Sequence, residues 1–211
     1  MYTVGRVEVI TGGMFSGKTE ELLSRLERVA IAGVPYLLFK PTVDTRCGME
    51  EVATHKGWKA QAHCLRPGSE TVMGLIAAIG DGSEAEGTFS KAGVIAFDEG
   101  NFFSQLIVSL CEELALMSKR VIVAGLDMTF TGEPFGSMPL LMAIAHRVDK
   151  LHAVCARCGD PEVEATYSLR LLGDGSSAPS TGPVIEIGGK GKYEAVCGLC
   201  RVKAYGLSLK N

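Results

Sequence analysis

A chain of 211 residues has room for one main domain and a small appended module, at about 100–200 residues per domain. Its 46% hydrophobic and 21% charged residues are ordinary for a globular protein, and a formal net charge of −3 demands no polyanionic partner. The longest apolar stretches, such as MGLIAAIG at 73–80, fall far short of the ~20 residues that span a bilayer, and the opening MYTVGRVEV lacks the apolar segment of a secretory signal. A cytoplasmic protein that meets no membrane is therefore expected.

In chain order, residues 7–11 read as a buried strand. A helix follows from Gly17, with Leu22, Leu23, Leu26, Val29 and Ala30 on one face and Gly33 as its stop. Between them, GGMFSGKT carries the pattern G-x-x-x-x-G-K-[ST], with Gly12, Gly17, Lys18 and Thr19 in the fixed places. In such a loop the backbone N–H groups, here from Gly12, Gly13, Met14, Phe15, Ser16 and Gly17, turn inward around a phosphate. The following helix offers its positive end. Lys18 then reaches the β and γ phosphates, and the Thr19 hydroxyl binds Mg²⁺. Strand, loop and amphipathic helix stand in the order the motif requires, so the loop is expected to bind a nucleoside triphosphate.

Residues 36–39 form a second apolar strand stopped by Pro41, and PTVDTRCG reads as a loop carrying Asp44 and Arg46. A strand at 60–64 and a helix at 70–79 follow, then a polar spacer, GDGSEAEGTFSKAG, at 80–93. GVIAFDEG is a strand ending in two acids, 103–117 a helix, and RVIVAGL at 120–126 another strand. Strands alternating with helices imply a parallel sheet covered on both faces. Ligands of such sheets sit at the carboxyl edge, where Asp98 is placed to serve Mg²⁺ through water. Its neighbour Glu99 is a candidate base for an attacking hydroxyl or water.

After about residue 151 the character changes. Of seven cysteines, four form two tight pairs, Cys155 with Cys158 and Cys197 with Cys200, a pattern that fits a reducing compartment and a bound metal better than a disulfide framework. Four thiolates suit tetrahedral zinc in a structural role, because they leave no open position. The segment between the pairs, with GDGSSAPSTGP inside it, is clamped at its base and reads as a lid. The expected division is a nucleotide-binding α/β domain at 1–150 and a zinc-binding lid, or lasso, at 151–211.

With these pieces in order, the chain resembles the thymidine kinases of the type II, thymidine-kinase-1-like family, through GGMFSGKTEELL, KPTVDTR, THKG, DEGNFF, VIVAGLDMTF, GEPFG, LHAVCARCG and EIGGKGKYEAVCGLC. The resemblance implies a P-loop (RecA-like) fold with a zinc-bearing lid, and ATP- and Mg²⁺-dependent phosphorylation of the 5′-hydroxyl of thymidine, with deoxyuridine as a further acceptor, in nucleotide salvage for DNA synthesis. It implies Glu99 as general base, Lys18, Thr19 and Asp98 at the phosphates and metal, and Arg46 as the cation facing the transferring phosphate. Around base and sugar it points to Met14, Asp44, Phe102, Leu126, Phe130, Phe135, Ser168 and Tyr193. The lid backbone at Val184, Glu186, Ile187, Gly188 and Gly189 would read the base. It also implies a homotetramer and inhibition by thymidine triphosphate.

Several positions depart from the family pattern. Asn101 stands for glutamine, Ser168 for threonine, and Thr129 and Thr131 for acidic and basic residues, and the lid is longer. These changes bear on the base, not on phosphoryl transfer. The competing reading is a nucleic-acid-associated P-loop ATPase whose zinc module grips DNA. It needs a basic surface, whereas Lys and Arg total 21 against 24 Asp and Glu, and Arg157, Lys190, Lys192, Arg201 and Lys203 make only a modest cluster near the cysteines.

Overall fold

The computed structural model describes residues 5–42, 50–53, 59–173, 175–177 and 191–206. Its centre is a seven-stranded sheet of β1 (Arg6–Gly12), β2 (Tyr36–Pro41), β3 (Glu50–Ala53), β4 (Lys59–Leu65), β5 (Val94–Phe97), β6 (Arg120–Gly125) and β7 (Arg147–Leu151), in the order β3-β4-β2-β5-β6-β1-β7. Strands β4, β2, β5, β6 and β1 run mutually parallel, as the alternation of strand and helix predicts, and β3 is antiparallel to β4. In β1, Val7 and Val9 join one apolar core while Glu8 points to the other face, toward Arg25 of helix α1 (Lys18–Ile31). Period-two alternation thus divides the two faces.

Beneath Val7 and Val9 lie helices α4 (Leu106–Leu116) and α5 (Met138–Ile144), which bring Ile107, Leu110, Leu114, Met138 and Leu141 into the same core as Phe39 and Phe97. Phe39 and Phe97 are register partners on β2 and β5, their rings stacked at 5.8 Å, and Phe103 meets Phe97 edge-on at 5.7 Å. This aromatic trio lies directly under the end of β5 that carries Asp98.

Three sequence expectations need correction. The polar spacer at 80–93 contains helix α3 (Gly82–Lys91). Its Ala85 and Phe89 are buried one turn apart, and the Lys119 ammonium caps its end by donating to the carbonyls of Phe89 and Ala92. The helix expected from 70 begins at Val72 as α2 (Val72–Ile79), because extended Thr71 caps it by accepting from Gly74 N–H at 3.0 Å. The helix expected from 103 begins at Leu106, after a 3-10 turn at Gly100–Phe102.

The chain divides into two compact units. One contains most of the sheet and its helices. The other gathers Gly12–Gly17, Leu126–Phe135 and the chain from Lys150 onward. Its elements are β8 (Ala153–Val154) paired with β9 (Glu164–Ala165), β10 (Tyr167–Arg170) paired with β11 (Tyr193–Val196), and α6 (Gly198–Ala204). Among the described residues, no helix is long and apolar enough to cross a membrane.

Candidate active site

The segment after β1 is shaped by glycine where it must be. Gly12 has φ +139 and Gly17 φ +84, and a Cβ on Gly12 would overlap the Leu151 carbonyl oxygen. Phe15 adopts φ +63 without being glycine and packs its ring against the core of the second unit. Left-handed backbone at such a residue costs about 1–2 kcal/mol, so the surrounding contacts must hold it. Two hydrogen bonds contribute: Ser16 Oγ donates to Gly13 O at 2.9 Å, and Met14 N–H donates to Ser168 Oγ at 2.9 Å. Ser168 is therefore tied to the backbone of the glycine loop, a partner the sequence did not reveal.

Lys18 and Thr19 form the first turn of α1, followed by Glu20 and Glu21, whose charges suit a helix N-terminus. Thr19 Oγ1 donates to Asp98 Oδ2 at 3.3 Å. Asp98 leaves β5 with its N–H on Phe39 O at 2.9 Å, and its Oδ1 accepts the Glu99 N–H at 3.0 Å. Burial raises the Asp98 carboxyl pKa to about 7, the Glu99 charge adds to that, and Lys18 works against it. Glu99 is exposed, but partial loss of hydration also raises its pKa, again opposed by Lys18. One ammonium, one hydroxyl, a buried acid and an exposed acid thus form a single electrostatic group, an arrangement able to hold a cation and, at Asp98, to take up a proton near neutral pH.

The turn that aims Glu99 is fixed from several sides. Glu99 itself is left-handed, at φ 54 and ψ 41. A Cβ on Gly100 would lie 2.6 Å from Val123 Cγ1, and one on Gly136 would overlap the Asn101 carbonyl oxygen. Asn101 is buried. Ser137 Oγ donates to Ser104 O at 3.0 Å. Glu70, buried just before α2, accepts from Ser104 N–H at 2.6 Å, Ser104 Oγ at 2.8 Å and Gly68 N–H at 2.7 Å. Glu70 was missed by sequence reasoning, which assigned it to a helix. An acid directly before a Thr cap was the available signal.

In the second unit the four paired cysteines converge, with their sulfur atoms all within 4.8 Å of one another. Cys158 Sγ lies 3.6 Å from Cys197 Sγ and 3.5 Å from Cys200 Sγ, close to the ~3.8 Å edge of a tetrahedral zinc–thiolate shell. Burial opposes ionisation of Cys155, but backbone N–H groups of Cys197, Arg157 and Cys158 outweigh it and bring its pKa down to about 6. The Cys158 thiol is pushed up by its sulfur neighbours, first Cys200 and then Cys197. Thiols so crowded cannot all ionise without a cation among them, so the donor set fits a four-thiolate metal. Among the described residues there is no disulfide, and Cys64 and Cys111 stand apart from this cluster.

Also in the second unit is the segment Leu126–Phe135. Phe130 is buried under the Arg170 guanidinium at 4.4 Å, and Phe135 N–H donates to Asp127 O at 2.9 Å. Buried Asp127 is paired with Lys150 at 2.8 Å. Tyr193 is buried on β11 and is the register partner of Arg170. Arg201 donates from Nη2 to Thr131 O, and Arg157 pairs with Glu194 at 2.8 Å. These two cations of the cluster near the cysteines are thus engaged within the unit, which weakens the nucleic-acid reading. Phe102 is half-buried in the first unit. Asp44, Arg46, Cys47, the THKG segment, Val184, Glu186, Ile187, Gly188 and Gly189 lie outside the described residues.

Comparison with known proteins agrees with these features. A family model described as thymidine kinase matches residues 5–201. The thymidine kinase of Haloquadratum walsbyi is 41% identical over 218 residues, covering 94% of this chain and 95% of that protein. The thymidine kinase of Halobacterium salinarum is 43% identical over 198 residues, with 94% of each chain covered. A solved Pif1 helicase from Candida albicans superimposes only loosely, with a TM-score of 0.42 and 14% identity over 75% of this chain and 38% of that one. With the glycine loop, the paired acids and the four-cysteine cluster all inside the matched span, this chain belongs to the thymidine kinase family.

Proposed function

We propose that this kinase transfers the γ-phosphoryl group of ATP, as its Mg²⁺ complex, to the 5′-hydroxyl of thymidine, and to deoxyuridine as a further acceptor. The observation that carries the reading is the coupling of Lys18, Thr19, Asp98 and Glu99 into one group at the start of α1 and the end of β5. Backbone N–H groups of 12–17 and the Lys18 ammonium bind the phosphates, while Thr19 and Asp98 hold the metal of the substrate complex, Asp98 through water. Glu99, whose pKa is raised by lost hydration against the pull of Lys18, takes the proton from the 5′-hydroxyl. The freed oxygen forms a bond to the γ-phosphorus as the bond to the β–γ bridging oxygen breaks, and ADP leaves with that electron pair. Arg46 serves as a fixed cation for the charge on the transferring group.

On the nucleoside side, Met14, Asp44, Phe102, Leu126, Phe130, Phe135, Ser168 and Tyr193 surround base and sugar, and the backbone of 184–189 reads the base. Residues 151–211 act as the lid, and residues 1–150 as the nucleotide-binding domain. Zinc on Cys155, Cys158, Cys197 and Cys200 supplies a structural cross-link and no reactive position. The protein works in the cytoplasm as a homotetramer and is inhibited by thymidine triphosphate. Light scattering after size exclusion tests the first of these, and a rate assay with added triphosphate the second.

Glu99→Gln tests the core of the reading. It should lower turnover roughly 10²–10⁴-fold while ATP binding by calorimetry stays within about twofold of the parent. Near-normal turnover would remove Glu99 from the role of base.

A further inference from the structure

Helix α6 carries a side chain that the reaction scheme does not use. Arg201 directly follows Cys200, and its N–H donates to the carbonyl of Cys197 at 3.0 Å, so its backbone is tied to the cysteine cluster. Its guanidinium reaches the segment Leu126–Phe135, donating from Nη2 to Thr131 O. The same guanidinium lies over the Tyr167 ring at 4.5 Å and 5.8 Å from the centre of the Tyr205 ring. Tyr205 adds a longer contact, Oη to Phe130 O at 3.5 Å. Gly132, at φ +87, leaves room for this: a Cβ there would come within 2.8 Å of Arg201 Cζ.

The segment gripped in this way is a tight turn. Thr129 N–H donates to Glu133 O at 2.8 Å, Gly132 N–H to Thr129 O at 3.0 Å and Phe135 N–H to Asp127 O at 2.9 Å. A constraint at Thr131 is therefore passed to both Phe130 and Phe135, which flank it. A planar guanidinium can stack on a ring and donate in its own plane at once, which a lysine ammonium cannot do.

We propose that Arg201 is a positioning residue for the nucleoside: it staples the Leu126–Phe135 turn to helix α6 and thereby links thymidine affinity to the cysteine cluster. The proposal rests on the reading that Phe130 and Phe135 contact thymidine.

The test compares R201A and R201K with the parent enzyme in three measurements: KM for thymidine and for ATP, zinc content, and amide hydrogen exchange across 126–135. Loss of a charged hydrogen bond and a stacked cation should raise the thymidine KM of R201A roughly 5- to 30-fold. The ATP KM should stay within about twofold, zinc content should be unchanged and exchange across 126–135 should quicken. R201K should recover part of both effects. An unchanged thymidine KM, a parallel rise in both KM values, or unaltered exchange would overturn the proposal. If R201A loses its metal or its fold, the same readouts on R201K decide. Failure of the parent enzyme to phosphorylate thymidine would instead sink the underlying reading, and the exchange measurement would still report on the staple.

Discussion

The strand that enters the glycine loop and the helix that leaves it are joined by a buried charge cluster, and Glu8→Gln is the change that exposes its worth. Glu8 is 2% exposed, with Arg25 Nη1 at 2.9 Å and Arg120 Nε and Nη2 at 2.8 and 2.9 Å. Arg25 also holds Asp149 at 2.7 Å. Burial alone would raise the Glu8 pKa, but hydrogen bonds from Arg120 and Arg6 outweigh it and lower the value from 4.5 to about 2. Each pKa unit is worth about 1.4 kcal/mol, so the ionised carboxylate contributes up to about 3 kcal/mol. Solvent around Arg6 and Arg120 screens part of that, leaving ~2 kcal/mol. Because the folded pKa is the lower one, this stability is fully present above 4.5 and is lost as pH falls toward 2. Glutamine keeps the shape and removes the charge, leaving Arg25 and Arg120 short of their shared anion. Urea unfolding should show E8Q less stable by about 2–3 kcal/mol at pH 7, with the difference shrinking between pH 4.5 and pH 2. A variant within about 0.5 kcal/mol of the parent at pH 7, or a gap that does not close in acid, would refute the reasoning.

Two further substitutions probe the site. Asp98→Asn should lower turnover at least ~100-fold, yet raise stability in Mg²⁺-free buffer at pH 8, since it removes a buried charge whose raised pKa makes folding weaker as pH climbs from 3.8 toward 7; chemical unfolding at pH 5 and pH 8 checks the sign. Cys200→Ser should lose the metal, and atomic emission should find one zinc per parent chain and well under half of that in the variant, with thermal stability lowered by roughly 10 °C or more.

Much of this was legible in the sequence because strong local signals agreed. Apolar runs bounded by glycine marked β1, β5 and β6, a run stopped by Pro41 marked β2, and the G-x-x-x-x-G-K-T spacing marked the loop and the start of α1. The acids after VIAF could be placed because a parallel strand presents its carboxyl end to ligands. Helix α3 leaves little periodic signal in the sequence, because only Ala85 and Phe89 anchor it and the rest is largely polar and glycine-bearing. The roles of Glu70 and Arg201 were hidden for another reason. Ser104 lies 34 residues from Glu70, and Thr131 lies 70 residues from Arg201, so no local pattern links the partners. Likewise the 2.9 Å bond from Met14 N–H to Ser168 Oγ joins residues 154 positions apart.

The most direct measurement is transfer of terminally labelled phosphate from ATP across the common nucleosides, with the label followed into product. Thymidine should be labelled at its 5′-oxygen in a Mg²⁺-dependent reaction, with deoxyuridine accepting and purine nucleosides remaining unlabelled. Label appearing only as inorganic phosphate, above all if DNA speeds its release, would contradict the assignment of a nucleoside hydroxyl as acceptor.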